Sequence, residues 1–196
     1  LIGGDTVRTP GPLTLSLTLT GVCLTESVIQ RSGAIVGDTV YVTGVIGRGG
    51  LGLSDAQSGK EGDHVDHYRI PELPPAAIAG LIAAFATASI DVSDGLISDS
   101  GHIAGESGVS IQLDLSNVPF AEQVPDTESA LMLATAGDDY QTLFTAAAED
   151  EHRLLATAAT LGVSVTAIGT VGEGHGVKLT FNGEDVALPT RTGYRH

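Results

Sequence analysis

Residues 13 to 20 alternate without a break, with Leu13, Leu15, Leu17 and Leu19 on one side and Thr14, Ser16, Thr18 and Thr20 on the other. A period of two puts the leucines on one face of an extended strand and the hydroxyls on the opposite face. One strand cannot bury such a face alone, so this chain must be built on a sheet whose other strands lie elsewhere or are missing. Further strands are expected at Thr39–Val45, Val109–Leu115, Gln141–Ala146 and Val163–Val171. Val177–Phe181 and Asp185–Leu188 flank Asn182-Gly183, the signature of a hairpin closed by a type I′ turn. Helices are expected between them. Pro74–Ala88 carries Ile78, Leu81, Ile82 and Phe85 at i, i+3, i+4 and i+7, and Glu128–Thr135 and Glu149–Leu161 are amphipathic. Strands and helices interleave without a clean βαβ repeat. The fold class is therefore α+β (mixed α/β), a mostly antiparallel sheet with helices packed on one side.

Composition narrows the functions such a sheet can serve. The 196 residues suit one domain, with room for a piece of a second, and 42% are hydrophobic, enough for a core. Nine Lys and Arg against 24 Asp and Glu give a formal charge of −15. That balance argues against nucleic acid or an anionic membrane as partner. An acidic protein that handles phosphates needs counter-charge, and divalent metal is the obvious source. Cys23 is the only cysteine, so no internal disulfide forms; beside Val22 and Leu24 it reads as a buried apolar residue, and a reducing cytoplasm is the expected location. No apolar run approaches the roughly 18 residues of a membrane-spanning helix. The chain opens on Leu1-Ile2, as though in the middle of something, and is expected to be a fragment.

The chemistry concentrates at Ile90-Asp91-Val92-Ser93-Asp94-Gly95-Leu96-Ile97-Ser98-Asp99. Ile90 to Val92 read as the tail of a buried strand, Ser93 as an N-cap, and the residues from Asp94 onward as a helix ending near Gly105 and Gly108. Asp91 and Asp94 then flank the turn. As hard oxygen ligands they suit Mg²⁺, which would bridge them to phosphate while the helix N-terminus adds a favourable field. An ordinary capped helix with a solvated acidic first turn would account for the same letters. Gly44–Gly52 reads as a loop with close backbone approach and does not fit the Gly-x-x-x-x-Gly-Lys-Ser/Thr pattern, so a Walker-type phosphate cradle is excluded. Gln57–Tyr68, with His64 and His67, reads as a solvated loop rather than a zinc site.

Gly3-Gly4-Asp5-Thr6, Arg31-Ser32-Gly33-Ala34, Asp91-Val92-Ser93-Asp94-Gly95-Leu96, Gly101-His102-Ile103, Gly137-Asp138-Asp139-Tyr140 and Gly193-Tyr194-Arg195-His196 form one ordered pattern. With these motifs the chain resembles the thiamine-monophosphate kinases, in the superfamily of aminoimidazole ribonucleotide synthetase. The resemblance implies transfer of the ATP γ-phosphate to thiamine monophosphate with several Mg²⁺ ions, in a cytoplasmic homodimer. It implies metal ligation by Asp5, Asp91 and Asp94, ATP contacts from Gly4, Asp5, Arg31 and Ser93, and substrate contacts from Asp138 and Tyr194. No protein nucleophile is expected. It further implies that residues 1–22 are the last strand of an N-terminal ATP- and metal-binding domain, and that 23–196 are the C-terminal α/β domain. One departure touches the site: Asp138 stands where the family usually has Glu. A sister ATP-dependent enzyme of the superfamily, or an inactive nucleotide-binding fragment, are the competing readings.

Overall fold

The computed structural model describes residues 2–22 and 28–194. Its elements run β1 (Thr39–Thr43), α1 (Arg48–Gln57), α2 (Asp63–Arg69), α3 (Ile78–Phe85), β2 (Ala86–Val92), α4 (Leu96–Ser107), β3 (Ser110–Asp114), α5 (Thr127–Ala134), β4 (Gln141–Ala146), α6 (Glu151–Thr160), β5 (Val165–Gly172), β6 (Gly176–Phe181) and β7 (Glu184–Val186). The strands form one sheet in the order β2-β4-β1-β5-β3-β6-β7. Every neighbouring pair is antiparallel except β3 and β6. This is the mixed α/β, mostly antiparallel architecture expected.

Alternation along the strands divides the core between the two faces of the sheet. Val40 and Val42 of β1 point into the larger cluster, where Ile90, Ile111, Leu113, Leu143 and Ile168 meet Leu96, Ile97 and Ile103 of α4 and Ala130 and Ala134 of α5. Tyr41, between those valines, points the other way and stacks on Phe144 with ring centroids 5.3 Å apart. Leu81 of α3 and Leu154 and Ala158 of α6 close over that pair. The main helical layer on one side is thus joined by a smaller one on the other.

Several local expectations change. The alternating residues 13 to 20 enter no strand, and Leu13, Leu15, Leu17 and Leu19 are 79–87% exposed. A strand is defined by its ladder, and this segment pairs with none of the seven strands of the sheet. The glycine-rich stretch is no loop from Arg48 onward but the start of α1, and the His64–His67 stretch is helix α2. Helix α3 stops at Phe85, before the expected Ala88, because Ala86 already pairs with Ala146 of β4. Asn182 (φ 51°) and Gly183 (φ 81°) form the expected left-handed pair between β6 and β7. No helix among the described residues is long and apolar enough to cross a membrane. Cys23, Arg195 and His196 lie outside the described residues.

Phe144 is fully buried and shares the stack that anchors the smaller core. Phe144→Ala should therefore lower the unfolding free energy by about 3–5 kcal/mol, read from urea denaturation.

Candidate active site

The turn between β2 and α4 is tied by a side chain that comes from inside the helix. Asp99 folds back and one of its oxygens, Oδ2, accepts the backbone N–H groups of Ser93, Asp94 and Gly95, each at 3.1 Å. Ser93 is therefore not the cap. The residue preceding the helix is Gly95, at φ 127°, and it makes no side-chain capping bond. Gly95 is also required sterically, since a Cβ there would lie 2.9 Å from the carbonyl oxygen of Thr135. Burial pushes the Asp99 carboxyl up to about 6, with the charges of Asp94 and Asp91 adding to the effect and the backbone hydrogen bonds opposing it.

A second turn, residues 136–140, lies against the first. Asp138 donates its N–H to the Ser93 carbonyl (2.9 Å) and Tyr140 donates to the Val92 carbonyl (2.8 Å). Both residues are held in left-handed backbone conformations, φ 66° and 51°, uncommon for side chains of their kind. The Tyr140 hydroxyl donates to Asp138 Oδ1 at 2.9 Å. That bond pushes the phenol pKa up, with burial and the charges of Asp138 and Asp91 acting in the same direction.

Between these two residues, Asp139 is completely buried. Its Oδ2 accepts from Gly47 N–H (2.7 Å) and its Oδ1 from Gly49 N–H (3.0 Å). Burial lifts this carboxyl too, to about 6, against the same backbone bonds. A Cβ at Gly49 would sit 2.5 Å from the Gly137 carbonyl oxygen, and one at Gly50 would sit 2.4 Å from Ala136 Cβ. The expected close backbone approach is thus present, made by the first turn of a helix.

The C-terminal segment supplies the last wall. Tyr194 donates its N–H to the Asp94 carbonyl (2.8 Å), and Gly193 lies so close to that carbonyl that a Cβ would approach to 2.5 Å. These segments and α1 enclose an open cavity of about 520 Å³ whose lining includes Ser93, Asp94, Asp138, Tyr140, Arg191 and Tyr194.

The structure thus brings together Ser93, Asp94, Asp138 and Tyr194 from three separated parts of the sequence. Asp91 is exposed on β2, close enough for its charge to act on both Asp99 and Tyr140. Arg31 is not in this cluster: its carbonyl accepts a 3.5 Å bond from Ser107, at the opposite end of the 12-residue α4, about 18 Å along the axis. Gly4 and Asp5 are exposed, and neither lines the cavity; Asp5 accepts from the adjacent Thr6 N–H. The sequence motifs contain Asp99, Asp139 and Tyr140 without giving them a role, and Arg191 lies outside them. Only the doubled Asp138-Asp139 offered a hint, because the tasks of capping and lining depend on which neighbours the fold delivers.

Ligand atoms of Asp94, Asp99 and His102 lie within 4.8 Å of one another. Exposed Asp91 and half-buried Asp94 offer the hard oxygens and solvent access that a partly hydrated Mg²⁺ takes. Asp99 is the poorer candidate because three backbone amides engage its Oδ2. His67 is buried and its Nδ1 accepts from Glu72 N–H at 3.4 Å; burial, then the charge of Arg48, holds its pKa down. His64 faces Asp55 at 3.7 Å. Among the described residues these two histidines join no three-ligand cluster.

The chain belongs to the AIR synthase-related family: the profile described as AIR synthase related protein, C-terminal domain, matches residues 36–182. Within that family it is similar to thiamine-monophosphate kinases. The enzyme of Caulobacter vibrioides is 38% identical over the whole of this chain, which covers 58% of that protein. A crystal structure of thiamine-monophosphate kinase from Stenotrophomonas maltophilia superposes with a TM-score of 0.67 at 32% identity, over 81% of this chain and 54% of that one. AaThiL complexed with AMPPCP and TMP superposes with a TM-score of 0.66 at 28% identity, over 87% of this chain and 55% of that one. The chain therefore spans somewhat more than half the length of these relatives.

The raised carboxyl of Asp139 sets a pH dependence. Its folded pKa, about 6, lies above the unfolded value near 3.8, so its contribution to stability is fully present below the unfolded pKa and is lost as pH rises through 6. Asp55 and Asp126 are shifted downward and act in the opposite direction, at the acid end of the range. Unfolding free energies from urea denaturation at pH 4 to 7.5 should fall more steeply for the wild type than for Asp139→Asn, the difference between the two changing by on the order of 2 kcal/mol across that window.

Proposed function

We propose that the protein carrying this chain transfers the γ-phosphate of ATP to thiamine monophosphate, forming thiamine diphosphate with Mg²⁺. The observation that carries this reading is the convergence of Ser93, Asp94, Asp138 and Tyr194 on one cavity. Two further findings support it: similarity to thiamine-monophosphate kinases along the whole chain, and the fold shared with a protein complexed with AMPPCP and TMP.

In this reading Asp91 and Asp94 hold Mg²⁺, which when bound neutralises the crowded phosphate charge. Ser93 contacts the nucleotide, Asp138 the acceptor substrate, and Tyr194 offers an aromatic face to its heterocycle. Asp139 and Asp99 keep the two turns in register, so that these groups are positioned before substrate arrives. Donor and acceptor are both phosphates, and the chain's part is to orient them rather than to form a covalent intermediate. Gly4 and Arg31 are assigned to ATP and Asp5 to ATP and metal, all three from outside the cavity described above. Residues 1–22 would be the last strand of an N-terminal domain that completes it, in a cytoplasmic homodimer. The bare leucine face at 13–19 supports that assignment.

Two measurements test the proposal. Mg²⁺-dependent binding of ATP to this chain, followed by calorimetry, should weaken at least tenfold in the Asp91→Ala/Asp94→Ala double variant while the circular dichroism spectrum is retained. Equal binding in the variant would refute the metal assignment. The protein as encoded should form thiamine diphosphate from thiamine monophosphate and ATP; turnover of a sister enzyme's substrate instead would refute the kinase reading.

A further inference from the structure

The cavity is acidic, with Asp94 and Asp138 in its wall, yet the function proposed above places a phosphomonoester in it. Such a group carries close to two negative charges at neutral pH, so counter-charge is needed there, from the Mg²⁺ assigned above to Asp91 and Asp94 and from the chain itself. Helix N-termini commonly supply it. Here Asp99 already takes the amides of Ser93, Asp94 and Gly95 in the turn before α4, and Asp139 those of Gly47 and Gly49 at the start of α1.

Arg191 is the only Lys or Arg among the described residues that line the cavity. It stands on the C-terminal segment that Tyr194 pins to Asp94. Its Nε donates to the Gly193 carbonyl at 3.1 Å, and its guanidinium carbon lies 5.8 Å from the centre of the Tyr194 ring, within cation–π range. One edge of the guanidinium is thereby engaged, and the plane is steadied by the ring. The two terminal nitrogens carry four further N–H donors in the planar fork that matches phosphate oxygens.

We propose that Arg191 is a substrate-binding residue that grips the phosphate of the acceptor and so distinguishes the phosphorylated substrate from its free alcohol. This rests on the kinase reading above. The chain uses one segment for two jobs: Tyr194 presents an aromatic surface and Arg191, braced on it, presents the cation. The motif pattern in the sequence gave no sign of this residue, which becomes part of the site only when the segment after β7 folds back onto α4.

The test compares two ligands and one ion on the full chain. Calorimetry with thiamine monophosphate and with thiamine should show Arg191→Gln weakening the monophosphate about tenfold or more, on the scale of a lost charge-assisted hydrogen bond, while thiamine binding is unchanged. Arg191→Lys should recover part of the loss. Equal weakening of both ligands would overturn the proposal, because it would make Arg191 a support for the Tyr194 ring only. Inorganic phosphate, titrated by ³¹P NMR, separates this inference from the kinase reading. If the wild type binds phosphate and Arg191→Gln binds it at least tenfold more weakly, Arg191 is an anion ligand even if the protein as encoded does not bind thiamine monophosphate, a result that refutes the kinase reading alone. Phosphate binding that is absent from the wild type, or unchanged in the variant, would overturn the assignment of Arg191.

Discussion

A buried carboxylate holds the site together. Asp139 has no exposed surface, and its two oxygens are spent on the N–H groups of Gly47 and Gly49 at the start of α1. Taking a charge out of water is costly, which is why its pKa rises despite those bonds. The cost is offset by what the bonds organise. They draw the glycine-rich turn onto residues 136–138, where a side chain at Gly49 or Gly50 would collide with backbone or with Ala136. The residues on either side of Asp139 are then forced into left-handed conformations that point Asp138 and Tyr140 at the cavity.

Asp99 repeats the device on the other side. One carboxylate oxygen collects three amides and fixes the turn that carries Ser93 and Asp94. Helix N-termini are favourable places for anions, and here two of the protein's own acids take amides in the turn before α4 and at the start of α1. Those amides are not open to an arriving phosphate. In the proposed reading, charge neutralisation falls to metal on Asp91 and Asp94 and to Arg191, in keeping with a chain that carries 24 acidic residues against nine basic ones and no Walker sequence.

Much of the architecture was legible in the letters. The β-branched run at β1, the alternation of β3, the boundaries of β4 and the Asn182-Gly183 turn were read in place, because each rests on local periodicity or on a backbone conformation that few residues adopt. The stretches read as loops, α1 and α2, misled because glycine and polar residues disfavour helices on intrinsic grounds. Tertiary contacts reversed that preference: Asp139 holds the first turn of α1, while α2 buries Val65 and His67. Ser93 has a residue type that suits a cap, yet its own amide, with those of Asp94 and Gly95, is held by Asp99 from four residues beyond Gly95.

By itself the sequence determined the sheet, its hairpin, the acidic character of the site and the residue types that meet at Asp91–Asp94. Each of these depends on side chains close together in the chain or on overall charge. Only the tertiary structure decided which distant residues share the cavity: the return of residues 191–194 onto Asp94, the packing of α1 against residues 136–138, and the distance of Arg31 at the far end of α4. The strongest local pattern makes the same point from the other side. Leu13 to Thr20 has the alternation of a strand, yet it stands exposed, because a strand needs the hydrogen bonds of a neighbour and no pattern of letters can supply one.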